Sequence, residues 1–318
     1  MTKVAVTGGA GFIGSNLVRS LVASGHEVTI VDDLSTGFLS NIDLKTCTFH
    51  QVSIVNREAL AKVLSPAEVI FHLGARGSVP RSIKNPIATH DVNATGTFNV
   101  LEVARHTGAH VVFSSSSSVY GRNSELPKDE SMWLGPISPY AASKLAGEAY
   151  AQAYGSSFGI PITLLRFFNV FGPLQRPENE YAAVIPKWIW KAMKNEAIDV
   201  YGDGTQSRDF TYVQTVVDLC IDAMNRKVTH DGAINLAFGE RTSLLDVISL
   251  LRTYFPNLEV NFKGVREGDI KDSLNDPKLL RRLFPDVIPV DFKTAFNETL
   301  EWIKSDGEEV TDKPANTL

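Results

Sequence analysis

Over the first 170 residues, short runs of aliphatic and β-branched residues alternate with longer stretches of helical periodicity. Strands are predicted at 3–7, 27–32, 46–52, 68–73, 109–115 and 162–168, with helical patterns between most of them. Repetition of this kind builds right-handed strand–helix–strand units, so the expected class is α/β, a doubly wound parallel sheet covered on both faces. After Phe171-Gly172-Pro173 the pattern changes to a polar loop at 175–181, an amphipathic stretch at 185–197, and short strands and turns such as Tyr201-Gly202-Asp203-Gly204. A smaller α/β second domain is expected there. The apolar run 233–237 reads as a seventh strand returning to the first sheet, which makes the second domain discontinuous. The division is 1–170 plus about 208–238 against about 171–207 plus 239–303, with 304–318, polar and aperiodic, expected to be a mobile tail.

Composition narrows the function classes. With 43% hydrophobic and 21% charged residues the chain is globular, and 31 basic against 36 acidic residues, a net charge of −5, provide no basic field for nucleic acid. Cys47 and Cys220 have neither CxxC nor Cys/His spacing, so no disulfide framework and no metal site is expected. No apolar run approaches the roughly 20 residues of a membrane helix. Met1-Thr2-Lys3-Val4 leads directly into a strand pattern, so a cytoplasmic protein without signal peptide or membrane partner is expected.

The chemistry begins at Gly8-Gly9-Ala10-Gly11-Phe12-Ile13-Gly14, between a strand and a helical pattern at 15–24. Gly8 permits a tight turn, Gly11 lets backbone N–H groups approach a pyrophosphate, and Gly14 lets the helix pack closely, with Phe12 and Ile13 opening that helix at the favourable end of its dipole. The second strand ends in Asp32, about 20 residues on, where a carboxylate accepts the ribose hydroxyls. Asp33 adds negative charge and no Arg or Lys follows before Lys45, so NAD is expected over NADP, in a Rossmann-type dinucleotide domain. Further on, Ser138-Pro139 starts a helix that places Tyr140 and Lys144 on one face. An ammonium beside a phenol lowers its pKa of about 10 toward the working range of a general base. The strand at 109–115 opens into Ser114-Ser115-Ser116-Ser117-Ser118-Val119-Tyr120-Gly121, where one serine can hydrogen-bond the reacting oxygen.

The turn TGGAGFIG, the loop SSSSSVYG, YAASK and RFFNVFGP together resemble the extended short-chain dehydrogenase/reductase family of nucleotide-sugar enzymes, over residues 1–303. The resemblance implies Ser116, Tyr140 and Lys144 as the catalytic trio, with Lys144 also holding the nicotinamide ribose. Ser117 and Ser118 stand where 4,6-dehydratases carry an Asp-Glu pair. Cofactor contacts are implied at Ile54, Leu73 and Ser53, the last replacing the family's adenine-binding Asp. Within the family the chain is most similar to UDP-hexose 4-epimerases. That branch implies UDP-sugar contacts at Asn169, Arg208, Arg266 and Asp269, and at Gly77, Ser78, Ser116, Ser117, Ala183, Val184 and Tyr201. Ser273, small where glucose-restricted relatives carry a tyrosine, implies room for an N-acetyl group. The expected reaction is interconversion of UDP-GlcNAc and UDP-GalNAc, with UDP-Glc and UDP-Gal as a further pair, in a homodimer joined through 83–106 and 141–155. The rivals are a UDP-uronic acid epimerase or decarboxylase and a non-catalytic dinucleotide-binding protein.

Overall fold

A computed structural model describes residues 1–177, 183–265 and 271–306. Its central sheet has seven strands: β1 (Lys3–Thr7), β2 (Glu27–Asp32), β3 (Thr48–Gln51), β4 (Val69–His72), β5 (His110–Ser116), β6 (Ile162–Phe167) and the returning strand Ile234–Leu236. All neighbours are parallel, in the order Ile234–Leu236, β6, β5, β4, β1, β2, β3. The order reverses beside β1, whose neighbours are β2 and β4. A crevice opens there, outside the carboxyl ends of the strands, and this is where open α/β sheets take ligands.

The strand period of two distributes side chains to two cores. Val4, Val6, Val28 and Ile30 pack beneath α1 (Phe12–Ala23) and the helix Val213–Arg226, through Leu17, Leu21, Val216 and Cys220. Ala5, Val31, Ile70 and Val111 pack on the other face against Leu60, Leu64, Val100, Leu101 and Ala151, from the helices Arg57–Leu64, Gly96–Thr107 and Pro139–Phe158. The doubly wound parallel sheet is therefore as expected, with strand ends displaced by no more than two residues.

A third core, with Phe171, Ile185, Trp188, Ile189, Val247, Leu251, Phe296 and Leu300, lies under the helices Val184–Met193, Leu244–Tyr254 and Phe292–Asp306. Two-stranded pairings complete this region, Ile198–Tyr201 with Val260–Lys263 and Ser207–Arg208 with Thr242–Ser243. The chain enters it near Val170–Phe171 and leaves it for Val213–Arg226 and the seventh strand before returning. Two boundaries differ from expectation. The helix placed at 185–197 ends at Met193, because Asn195 turns left-handed at φ 55°. The last helix continues through Asp306, so 304–306 are not tail, while 307–318 lie outside the described residues.

Candidate active site

The loop after β1 is held close to the loop after β4. Gly8 has φ +71°, and a Cβ there would stand 2.7 Å from the Gly74 nitrogen, so only glycine leaves the phosphate approach open. Gly14 packs on this turn itself, since a Cβ at Gly14 would collide with the Gly8 carbonyl. Gly11 caps α1, and its carbonyl accepts the Ser15 hydroxyl at 2.7 Å. Phe12 and Ile13 open the helix and pack toward the third core.

Asp32 ends β2 and is 92% buried, being 8% exposed. One carboxylate oxygen accepts the Ala10 N–H at 3.0 Å and the other the Leu34 N–H at 2.9 Å. Burial pushes its pKa up against the pull of these two donors. A carboxylate offers about four acceptor sites, so each oxygen keeps one for a ribose hydroxyl. Asp33 is occupied by the Ser35 N–H at 3.0 Å. A cavity of about 80 Å³ runs past Gly8, Asp32, Asp33, Ile54, Leu73 and Gly74, and carries no Lys or Arg among its described lining. Open glycine backbone, a ribose acceptor and absent cations fit NAD. Val52 and Ile54 line this cavity, and Ser53, in the turn after β3, is not in its described lining.

The catalytic candidates meet at the end of β5. The Ser138 hydroxyl accepts the Ala141 N–H at 3.2 Å and starts the helix Pro139–Phe158, which presents Tyr140 and, one turn later, Lys144. The Ser116 hydroxyl stands beside the Tyr140 phenol and acts to lower its pKa. Lys144 is buried, donates to the Ser114 carbonyl at 2.8 Å and lies over the Phe113 ring at 5.4 Å. The trio expected from sequence is thus assembled, but its electrostatics differ. Burial raises the Tyr140 phenol above its ordinary range, and the nearby Ser116 hydroxyl opposes it. Burial also draws Lys144 down to about 8, against the opposing charge of Glu148. In this structure burial is the largest influence on the phenol, and Lys144 is not among the groups that lower it.

A larger cavity of about 600 Å³ adjoins, with Ser78, Asn169, Ala183, Val184, Tyr201 and Arg208 in its wall. Asn169 donates to the Asp209 carbonyl at 3.0 Å and to the Ser273 hydroxyl at 3.3 Å, which brings Ser273 to the same place. Gly77 lies in the loop between the two cavities and in the lining of neither, and Ser117 begins the turn Ser117–Tyr120. Arg266 and Asp269 lie outside the described residues. Lys187, Lys191 and Gln206 also line the large cavity. Sequence reading passed over them, although an i, i+4 lysine pair on the helix Val184–Met193 was a visible signal. Among the described residues no cluster of three metal-ligating side chains occurs and both cysteines are free. No described helix is long and apolar enough to cross a membrane.

Comparison with known proteins agrees with this geometry. A family model described as the NAD dependent epimerase/dehydratase family matches residues 4–237. The chain is similar to the UDP-N-acetylglucosamine 4-epimerase from Methanobrevibacter ruminantium M1 solved with UDP-N-acetylmuramic acid, at 35% identity and TM-score 0.90, covering 96% of this chain and 99% of that one. It is similar to the UDP-glucose 4-epimerase of Thermotoga maritima solved with UDP-glucose, at 31% identity and TM-score 0.90, covering 95% and 99%. It is also 31% identical to a UDP-N-acetyl-alpha-D-glucosaminuronate decarboxylase of Bacillus cytotoxicus, over 94% of this chain and 97% of that protein. A family match over most of the length, joined to a dinucleotide crevice and an assembled Ser/Tyr/Lys trio, means that this chain belongs to the NAD dependent epimerase/dehydratase family and that its cofactor is NAD.

Proposed function

We propose that the protein interconverts UDP-GlcNAc and UDP-GalNAc, with UDP-Glc and UDP-Gal as a further pair, by oxidising the sugar at C4 and reducing it again from the opposite face. The observation that carries this reading is the meeting of Ser116, at the end of β5, with Tyr140 and, one turn along, Lys144, whose ammonium is held on the Ser114 carbonyl at 2.8 Å. Bound NAD supplies reversible hydride acceptance, so no outside reductant is consumed. Tyr140 takes the 4-hydroxyl proton as hydride leaves C4 and returns it when hydride comes back, which balances protons and electrons over the cycle. Ser116 orients the phenol and the reacting oxygen. Lys144 holds the nicotinamide ribose from the same helix face as Tyr140. Asn169 and Arg208, with Arg266 and Asp269, hold the UDP moiety, and a grip on UDP firmer than on the hexose lets the keto ring turn. Ser117 and Ser118 provide no carboxyl pair for water elimination.

The size of Ser273, beside Asn169, supports an N-acetylated sugar. A second reading, a UDP-uronic acid as substrate, is favoured by the cations of the large cavity: Lys187, Lys191 and Arg208 against Asp199 alone among its described lining. Both readings share C4 oxidation, and product analysis separates them. Incubation of the purified protein with UDP-GlcNAc, UDP-Glc and UDP-GlcA is expected to give the 4-epimer of the acetamido sugar. Release of carbon dioxide from UDP-GlcA, with the acetamido sugar unchanged, overturns the assignment.

We also propose the homodimer through 83–106 and 141–155. Ile83 and Ile87 are 65% and 74% exposed, and Phe98, Tyr150, Tyr154 and Phe158 form a chain of ring contacts across two helices. Sedimentation is expected to give twice the chain mass.

A further inference from the structure

Behind the catalytic trio lies a buried polar network that the reaction does not use directly. Glu148 follows Lys144 by one turn on the same helix face. Its carboxylate accepts the Ser115 hydroxyl at 2.5 Å, and Arg166 through Nε at 3.0 Å and Nη2 at 2.8 Å. Arg166 reaches on from β6 to the Tyr120 hydroxyl at 2.8 Å, and that hydroxyl donates to Asn235 at 2.8 Å on the seventh strand. The Glu148 and Arg166 side chains are 2% and 4% exposed. A buried ion pair is a poor source of stability, since apolar residues of similar volume often replace one without loss. Its position suggests another use. Ser115 precedes Ser116, Tyr120 closes the serine loop, and Glu148 shares a face with Lys144, so the pair touches the support of each trio member.

We propose that Glu148, locked by Arg166 and Ser115, is a positioning residue: it supplies the counter-charge that keeps the buried Lys144 an ammonium and fixes the strand end that carries Ser116. The proposal rests on the trio doing the chemistry described above. The groups facing Lys144 are the Ser114 carbonyl and Phe113 ring from β5, His72 from β4, and Tyr140 and Glu148 from its own helix. His72 is neutral near pH 7, its pKa held at about 3 by burial and by Lys144 itself. Glu148 is the charge that opposes the desolvation of Lys144 among the described residues.

The test measures Lys144 directly. In protein labelled with carbon-13 at the lysine ε position, the Lys144 signal is identified by its loss in Lys144→Arg and followed through pH. Removing both charges with Glu148→Gln and Arg166→Gln leaves neither member of the ion pair alone in the core. The Lys144 midpoint is expected to fall by about one pH unit, and the alkaline limb of epimerase activity to move with it. An unmoved midpoint overturns the proposal. Ser115→Ala keeps the ion pair and tests the positioning arm without risk to the fold: kcat is expected to fall about tenfold at constant KM, and an unchanged kcat overturns that arm. If wild-type protein epimerises no UDP-sugar, the proposed function falls, while the lysine titration still decides the role of Glu148.

Discussion

Thr7 and His72 are joined by a hydrogen bond of 2.7 Å that ties the end of β1 to the end of β4 and fixes the state of the imidazole. Thr97 gives its only hydroxyl proton to the Asn93 carbonyl at 2.6 Å, so at 2.9 Å it accepts from His72 Nε2. Thr7 accepts the Gly74 N–H at 3.2 Å and donates to His72 Nδ1. The histidine is therefore neutral and protonated at Nε2. Asn93 continues the chain to the Ser143 hydroxyl at 2.9 Å, next to Lys144. The glycine turn and the catalytic helix are thus held by one run of hydrogen bonds.

Protonating His72 breaks that run, which gives a pH dependence of stability. The unfolded chain takes up the proton near the ordinary value of 6.5 and the folded chain only at about 3. The contribution is complete above pH 6.5 and is lost as the pH falls toward 3, by about 1.4 kcal/mol per pH unit at most. Denaturant unfolding between pH 4 and pH 7, at about half-unit steps, is expected to show this slope in wild type and a flatter one in His72→Gln. Equal slopes would place the titration elsewhere.

Asp32 decides the choice of dinucleotide. Its remaining acceptor sites suit ribose hydroxyls, and with Asp33 it repels an added phosphate. NAD is expected to bind at least about tenfold more tightly than NADP, a difference of about 1.4 kcal/mol. Asp32→Asn should narrow the ratio and also loosen the turn, because an amide offers one oxygen to the Ala10 and Leu34 donors where the carboxylate offers two. Tighter binding of NADP by the wild type in a fluorescence titration would refute this account.

The sheet and the trio were legible in the sequence for different physical reasons. Each central strand is covered on both faces and so reads as a continuous apolar run, such as Val69-Ile70-Phe71, bounded by helical periodicity. Tyr140, Lys144 and Ser116 sit in local motifs whose spacing alone fixes their faces. What pairs across distant segments left no such trace. Glu148 and Arg166 are 18 positions apart and look like two surface charges until the fold buries them together. The environment of Tyr140 is hidden for the same reason: spacing shows the neighbouring ammonium but not the burial that raises the phenol. An adenine contact at Ser53 is implied by the resemblance alone, while the described lining of the cavity there is made by Val52 and Ile54.

Ser273 sets the room beside Asn169. The two side chains touch at 3.3 Å, and a tyrosine at 273 would extend its ring from that point. Ser273→Tyr is expected to reduce kcat/KM for UDP-GlcNAc by roughly a hundredfold while sparing UDP-Glc. Parallel assays on the two sugars check this, and equal loss of both would show that the substitution damages the site rather than its size.

Tyr140→Phe removes one oxygen from the centre of the mechanism. The ring keeps its packing and loses only its polar contact with the Ser116 hydroxyl, worth no more than about 1 kcal/mol in stability. The melting temperature should therefore shift by only a few degrees. The chemical effect is much larger, because Tyr140 is the titratable side chain beside Ser116 that takes the 4-hydroxyl proton in the proposed reaction. Loss of a general base costs about 10²- to 10⁴-fold, so exchange between epimers is expected to fall by about 10³-fold. NAD binding, measured on the same preparation, should persist, since the glycine turn and Asp32 are untouched. A variant that binds NAD, melts normally and still interconverts epimers at the wild-type rate would remove Tyr140 from the proton transfer and leave the assembled trio without its proposed chemistry.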